Sequence, residues 1–290
     1  MSAGAAPGLE WRGWWPLALG IVVLLAASYV RFWTGPWSEP GNDHAPIIVA
    51  IAMFLAWRQR DAFAQAAPGR RTWVPALLLG TGIALFLLGV RTRIATFEAL
   101  SHVPLLAGAL WLAGGRTLVL RLWFALFFLL LSVPIPSQLL ALATGDLKQF
   151  VSSASVEAMY RLGYPVGHDG AVLTVGHYRL LVAEACAGMN SIISLSAIGL
   201  FYLYLVPPKR LWTLALSLLS ILPIAILANV VRIILLCLIT YYLGDEAGQG
   251  FLHEFAGLAM FALALLLFVS LSALLSLVGR PVPDRGAAHA

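Results

Sequence analysis

A cysteine, an arginine and a histidine that could cooperate in nucleophilic chemistry lie at three distant points of this chain. Cys186 lies in residues 182–191, where a polar segment gives way to a long apolar run. In the first turn of a membrane helix, unpaired backbone N–H groups and the positive end of the helix dipole favour a thiolate. The small neighbours Ala185, Ala187 and Gly188 leave the sulfur approachable. Cys186 is therefore a candidate nucleophile; the alternative is a small packing residue at a helix start.

Asn229 and Arg232 form a second polar feature, inside an otherwise apolar run. They are three residues apart, so they share one face of a helix. A charged residue at bilayer depth costs on the order of 2.5–3.5 kcal/mol and is a functional candidate by default. A fixed guanidinium can stabilise the oxyanion of a tetrahedral intermediate, and an amide can orient it or a base. The alternative is an arginine that snorkels to the interface.

His253 precedes the last apolar run and is the candidate acid/base. A Cys–His pair recurrently produces a thiolate and later protonates a leaving amine. An isolated histidine at this position would instead be an ordinary interfacial residue. Glu184 can pair with Arg232 or with Arg179, and the sequence does not choose between them. Three further polar residues are predicted to support the site: Glu184, Asn190 and His44.

The sequence predicts neither a metal nor a cofactor. His44, His253, Glu184 and Cys186 could in principle bind zinc, but no H-x-x-x-H or C-x-x-C spacing supports such a site. Two cysteines cannot form a disulfide framework. We expect Cys237, within an apolar run, to be a small buried hydrophobe. Whether Cys186 and Cys237 can pair is left open.

Composition assigns the chain to the membrane proteins. Hydrophobic residues make up 61% of the 290 residues and charged residues 11%, whereas soluble domains have about 45–50% and about 25%. The mean hydropathy is +0.89. The net charge of +5 does not indicate nucleic acid, because the cationic residues form short clusters between apolar runs, as membrane topology requires. The predicted partners are membrane lipid and a protein substrate; the oligomeric state is not predicted.

The predicted fold is an all-α polytopic membrane protein. A bilayer core needs about 20 apolar helical residues for one crossing. We predict about eight crossings, at residues 14–32, 45–57, 73–90, 94–113, 117–133, 187–206, from 211 onwards, and 255–278. The seventh apolar run, residues 211–243, is too long for one straight crossing. We expect it to cross up to about Asn229 and to continue, bent, near the outer surface.

Charge and polarity give the predicted orientation. With a cytoplasmic N-terminus, 11 of the 18 Lys and Arg residues fall on the cytoplasmic side, which the positive-inside rule favours. Residues 135–185 are then a small outer-face cap of one or two amphipathic helices and a short hairpin that turns near Gly176-His177.

We predict a single membrane-embedded domain, residues 1–290. It comprises N-terminal helices 1–5 (residues 1–134), the outer-face segment (135–185), helices 6–8 with the site (186–280) and a cytoplasmic tail (281–290).

Several motifs resemble those of the exosortase/archaeosortase family. They are Glu184-Ala-Cys-Ala-Gly188, Asn229-Val-Val-Arg232 and His253, together with Leu131-Ser-Val-Pro-Ile-Pro136 and Asp43-His44-Ala-Pro-Ile-Ile48. The resemblance covers most of the chain beyond the first 40 residues. It implies Cys186 as nucleophile, Arg232 as the essential cation and His253 as acid/base. One departure is Ala187, where that family commonly has serine.

The resemblance also implies a function. These enzymes process exported proteins that end in a short motif such as Pro-Glu-Pro, a membrane helix and a basic tail. Cleavage would occur through a cysteine thioester at the outer face of a bacterial inner membrane, followed by hydrolysis or transpeptidation. Two alternatives remain open. One is a transporter or channel whose path is lined by Arg232, Glu98 and His102. The other is a non-catalytic assembly factor in polysaccharide or exoprotein export.

Overall fold

The structure is a computed structural model that describes residues 11–38, 42, 44–64, 73–169, 172–181, 189–244, 246–247 and 251–278. The chain divides into two compact units, Met1–Leu140 and Ala141–Ala290. The elements of the first unit are α1 (Trp11–Trp33), a 3-10 turn (Pro36–Ser38), α2 (Ala45–Arg58), α3 (Arg60–Ala64), α4 (Trp73–Thr92), α5 (Ala95–Arg121) and α6 (Trp123–Leu130). Helix α7 (Ser137–Arg161) leads into the second unit, with β1 (Val166–Asp169), β2 (Val172–Val175), β3 (Tyr178–Leu181), α8 (Met189–Leu205), α9 (Leu211–Leu243) and α10 (Phe251–Val278).

Helices long and apolar enough to cross a bilayer dominate the structure. Five of them lie within the described residues: Trp15–Ser38, Trp73–Thr92, Ala95–Arg121, Leu211–Leu243 and Phe255–Val278. Two shorter apolar helices, Ala45–Arg58 and Ile192–Leu205, accompany them. The predicted polytopic helical class is confirmed, while the number of eight crossings stays a prediction.

Close packing of α4 against α5 organises the first unit. A Cβ atom at Gly82 would lie 2.6 Å from Cγ of Leu105, and one at Gly89 would lie 2.5 Å from the backbone nitrogen of Glu98. Glycine is thus the residue that lets the two backbones approach. Helix α5 is broken at Gly115, where φ is +68°. This break lies between the predicted fourth and fifth crossings. Helix α6 ends before Pro134 and Pro136, as the sequence predicts.

Glu98 and His102, the polar residues behind the transporter alternative, have packing partners within the first unit. The Glu98 carboxylate accepts a hydrogen bond from the Arg31 guanidinium, which joins α5 to α1. The His102 ring lies edge-on to Tyr29, with 5.2 Å between the centroids, and 5.9 Å from the Phe32 ring. Both residues are buried. Glu98 and His102 therefore connect α5 to α1, the first through an ion pair and the second through ring contacts.

The second unit begins with α7 and a three-stranded antiparallel sheet of order β1-β2-β3. The predicted hairpin is present, with Val175 paired to Tyr178 and Gly176-His177 as its turn. Gly176 has φ +59°, a conformation that glycine adopts without strain. The additional strand β1 was not predicted, because Val-Gly-His-Asp lacks a clear alternation of apolar and polar residues. The outer-face location of these elements stays a prediction.

The sheet and α7 pack on the second half of α9. Alternate residues of β2, Leu173 and Val175, are buried, as the period of two in a strand requires. They join Val151 and Met159 of α7 and a set of apolar residues from the last two helices: Ile233, Leu236, Cys237 and Ala256. The expectation that Cys237 is a small buried hydrophobe is confirmed. Its burial beside the sheet shows that one face of this half of α9 is covered by protein.

Helix α9 is one unbroken α-helix of 33 residues, Leu211–Leu243, with Pro223 inside it. Its bounds are those of the predicted apolar run 211–243, and Gly244, with a φ of +88°, follows its last residue. The predicted crossing to about Asn229 and the bend beyond it stay predictions. At 1.5 Å per residue the helix is about 50 Å long, which exceeds a hydrocarbon core of about 30 Å. The α7–sheet layer supplies the apolar partner for the excess length.

Candidate active site

Three helices of the second unit, α8, α9 and α10, build the candidate site. Their shared core contains Leu195 of α8, Ile221 and Ala225 of α9, and Ala264 and Phe268 of α10. Phe268 is fully buried, and the Ser217 hydroxyl of α9 donates a 3.2 Å hydrogen bond to Ser272 Oγ of α10. This core fixes the three helices against one another below the predicted site residues.

Asn229 and Arg232 lie on α9, just beyond this core. Asn229 is 5% exposed, and Arg232 is half-buried. Beside them the Ser155 hydroxyl of α7 contacts two backbone carbonyls, Val151 at 2.8 Å and Val230 at 3.4 Å. The α9 segment that carries both polar residues is thus fixed by α7 on one side and by the helical core on the other.

The Arg232 guanidinium lies directly against α10 at Gly257. A Cβ atom at Gly257 would be 3.0 Å from Nη2 and 3.2 Å from Cζ of Arg232. The charged end of the side chain therefore rests on helix backbone, at a position that has no side chain of its own. Position 253 is one turn earlier on the same face of α10, since residues four apart lie above one another on a helix.

A narrow cleft lies between the three helices. Two of its lining residues are the polar pair Asn229 and Arg232; the others are Leu195, Ala225, Ala228, Met260, Phe261 and Ala264. Three of the apolar lining residues are alanines, which leave the free space. An amide and a guanidinium at an otherwise apolar cleft are suited to bind a carbonyl or a developing oxyanion.

A contact between α8 and α9 shows that the start of α8 and Arg232 lie at a similar height. A Cβ atom at Gly199 of α8 would lie 3.2 Å from Cδ1 of Ile221. Met189, the first described residue of α8, precedes Gly199 by about 15 Å of helix, and Arg232 follows Ile221 by about 17 Å. Position 253 lies about 6 Å of helix beyond Gly257, which the guanidinium contacts.

The structure describes some of the predicted site residues and not others. Cys186 and Glu184 lie outside the described residues. The backbones of Asn190 and His253 lie in the first turns of α8 and α10, and their side chains are outside the described part. His44 belongs to the first unit, at the N-cap of α2. Asn229 and Arg232 are brought together at the cleft, as predicted.

The last helix begins a few residues before its apolar span. Helix α10 starts at Phe251, so the polar residues His253 and Glu254 lie within its first turn, just before the membrane-length span Phe255–Val278 that the sequence predicts. A helix start tolerates such residues, because the dipole favours an acidic side chain in the first turn. The consequence is that position 253 shares a rigid helix with Gly257.

Gly257 and the cleft alanines were missed as site residues. The available signal was the spacing His253-x-x-x-Gly257, which puts a small residue on the same face as a candidate catalytic histidine. Its meaning depends on which side chain of a neighbouring helix faces the glycine, and hydropathy patterning does not contain that information.

Comparison with known proteins decides the family. A family model described as transmembrane exosortase matches residues 37–270, which is most of the chain. The chain belongs to the transmembrane exosortase family. No curated protein and no solved structure matched it. Exosortases are generally cysteine peptidases or transpeptidases, and membership together with the long apolar helices makes this chain a multi-pass membrane protein.

Proposed function

We propose that this exosortase is a cysteine peptidase or transpeptidase that cleaves the C-terminal sorting signal of exported proteins. Cys186 is the nucleophile, Arg232 stabilises the oxyanion, and His253 is the acid/base. Asn229, Glu184 and Asn190 support them. The observation that carries the proposal is the contact of the Arg232 guanidinium with Gly257, at the mouth of a cleft and one turn from position 253.

Chain length supports placing the cysteine at this cleft. Cys186 precedes Met189 by three residues, so its Cα lies within about 11 Å of that of Met189. The start of α8 is at about the height of Arg232, because Gly199 of α8 lies against Ile221 of α9 and both helices extend a similar distance beyond this contact. A nucleophile that enters at this height can reach a carbonyl that the guanidinium binds.

The proposed reaction begins with attack of the Cys186 thiolate on the scissile carbonyl carbon. The resulting oxyanion is stabilised by the Arg232 guanidinium. Collapse of this intermediate breaks the C–N bond, and protonated His253 gives its proton to the leaving amine. The product is a thioester between Cys186 and the exported protein. Neutral His253 then takes a proton from the incoming water or amine, which releases the carboxylic acid or a new amide and regenerates the thiolate.

Helix length supports a site at the membrane surface. Arg210 and Arg232 are separated by 22 residues, or about 33 Å of helix, roughly the thickness of the hydrocarbon core. With the N-terminus in the cytoplasm and eight crossings, Lys209 and Arg210 lie at the cytoplasmic face of the inner membrane. Arg232 then lies at the opposite face, under the cap formed by α7 and the sheet. A substrate helix beside the enzyme, with its basic tail in the cytoplasm, would present its cleavage motif at this height.

An electrophilic substrate mimic tests the proposal. A peptide that ends in Pro-Glu-Pro with a C-terminal chloromethyl ketone should alkylate the nucleophile of the full chain in membranes. We expect the label on Cys186 alone, and protection by excess sorting-signal substrate, since both compete for one site. The Cys237→Ala variant is the control and should be labelled equally. Labelling of Cys237 alone, or labelling of Cys186 that excess substrate does not reduce, would contradict the proposal.

A further inference from the structure

Gly257 has no backbone reason to be glycine. It lies seven residues into α10, and it is not among the described residues with positive φ. In a helix interior, alanine is favoured over glycine because glycine loses more conformational entropy on folding. The glycine at this position is therefore best explained by the side chain that packs against it.

The charged end of Arg232 packs against Gly257. The three nearest atoms to a Cβ at this position all belong to that side chain: Nη2 at 3.0 Å, Cζ at 3.2 Å and Nε at 3.6 Å. The first two distances are shorter than about nine in ten real Cβ contacts, so a methyl group would push the guanidinium by a few tenths of an ångström. The end of a long, flexible side chain can make that shift with little loss of fold stability. The shift would instead move the guanidinium away from its place in the site.

We propose that Gly257 is a positioning residue for Arg232. Its bare backbone is the surface on which the guanidinium rests, and this sets the distance between the guanidinium and the bound carbonyl. The inference rests on the proposed function, because it gives Gly257 a role through the oxyanion contact. A misplacement of 1 Å in a reacting group can cost about 100-fold in rate, so a shift of a few tenths of an ångström should cost a smaller factor.

Gly199 of α8 provides a matched control in the same three-helix core. A Cβ there would lie 3.2 Å from Cδ1 of Ile221 and 3.2 Å from Cζ of Phe268. The crowding is similar, but the neighbours are apolar, and Phe268 is fully buried. Gly199→Ala should therefore disturb packing without moving Arg232.

The experiment compares Gly257→Ala and Gly199→Ala in the full chain, by processing kinetics and thermal unfolding. For Gly257→Ala we expect kcat to fall about tenfold with little change in KM and in Tm, because the lost interaction belongs to the transition state. For Gly199→Ala we expect a lower Tm and kcat within about twofold of the wild type. A Gly257→Ala enzyme with wild-type kcat would overturn the inference.

A double variant covers the case in which Gly257→Ala folds poorly. If the added methyl group clashes only with the guanidinium, Arg232→Ala removes the clash, and the double variant should recover the Tm of Arg232→Ala alone. A double variant that stays destabilised would show that another group occupies this space, which also overturns the inference. The proposed function is tested separately, by the Cys186→Ala variant. If Cys186→Ala abolishes processing while Gly257→Ala is fully active, only the role of Gly257 is wrong; processing by Cys186→Ala would remove the function itself.

Discussion

Replacement of Cys186 by alanine is expected to abolish processing of a sorting-signal reporter, with a loss of at least about a thousandfold. The reaction proposed for this chain passes through a thioester, and no other atom at position 186 can form it. Loss of a nucleophile in comparable hydrolases costs about a millionfold in kcat, so the residual rate should be below detection. The measurement is the ratio of cleaved to uncleaved reporter in cells that contain equal amounts of membrane-inserted enzyme.

Cys237→Ala is the matched control, because Cys237 is the other cysteine of the chain. It is 3% exposed and packs in the core beneath the sheet. Its truncation leaves a small cavity and should lower Tm modestly, while processing stays within about twofold of the wild type. Full processing by inserted Cys186→Ala would contradict the mechanism.

Replacement of Arg232 by glutamine is expected to lower kcat by about 100- to 1,000-fold, the usual cost of removing an oxyanion donor. Arg232→Lys should recover little of this loss. Its compact ammonium lacks the planar fork of the guanidinium that lies against α10 at Gly257, and arginine and lysine are not interchangeable at such sites. The measurement is kcat and KM for each variant; the loss should appear in kcat.

Arg161→Gln tests whether loss of any cation in the second unit has this effect. Arg161 is exposed and pairs with Glu157 one turn earlier on α7, at 2.7 Å. Such surface pairs contribute about 0.3–0.5 kcal/mol, so we expect wild-type kcat. An Arg232→Gln variant that is folded and as active as Arg161→Gln would show that Arg232 has no part in the reaction.

Much of the helical framework could be predicted because its signals are local. Pro134 and Pro136 end one apolar run, and Pro207-Pro208 end another, since proline cannot continue a helix. The turn at Gly176-His177 was predictable because glycine tolerates the positive φ found there. The ends of α9 were also predictable, because its bounds Leu211–Leu243 are those of the apolar run. The start of α10 at Phe251 was harder to predict, because it depends on how a helix start accommodates the polar residues His253 and Glu254.

The site was predictable in its residue types and only in part in its arrangement. A charged residue among valines and isoleucines singled out Arg232, and a spacing of three residues put Asn229 on the same helix face. The sequence does not contain the crossing of α9 and α10 that puts Gly257 under the guanidinium. The sequence also does not show that the alanines at 225, 228 and 264 line a cleft, because small apolar residues occur throughout membrane helices.

The most direct test of the central claim is intramolecular crosslinking between Cys186 and a cysteine placed on α10. The experiment uses the full chain in membranes, with Cys237→Ala as background and a short bifunctional thiol reagent. With His253→Cys we expect efficient crosslinking to Cys186, detected as a single linked peptide after digestion. With Leu274→Cys, an exposed position about 32 Å further along α10, we expect none. A crosslink to position 274 and not to position 253 would place the cysteine away from Arg232 and contradict the proposed site.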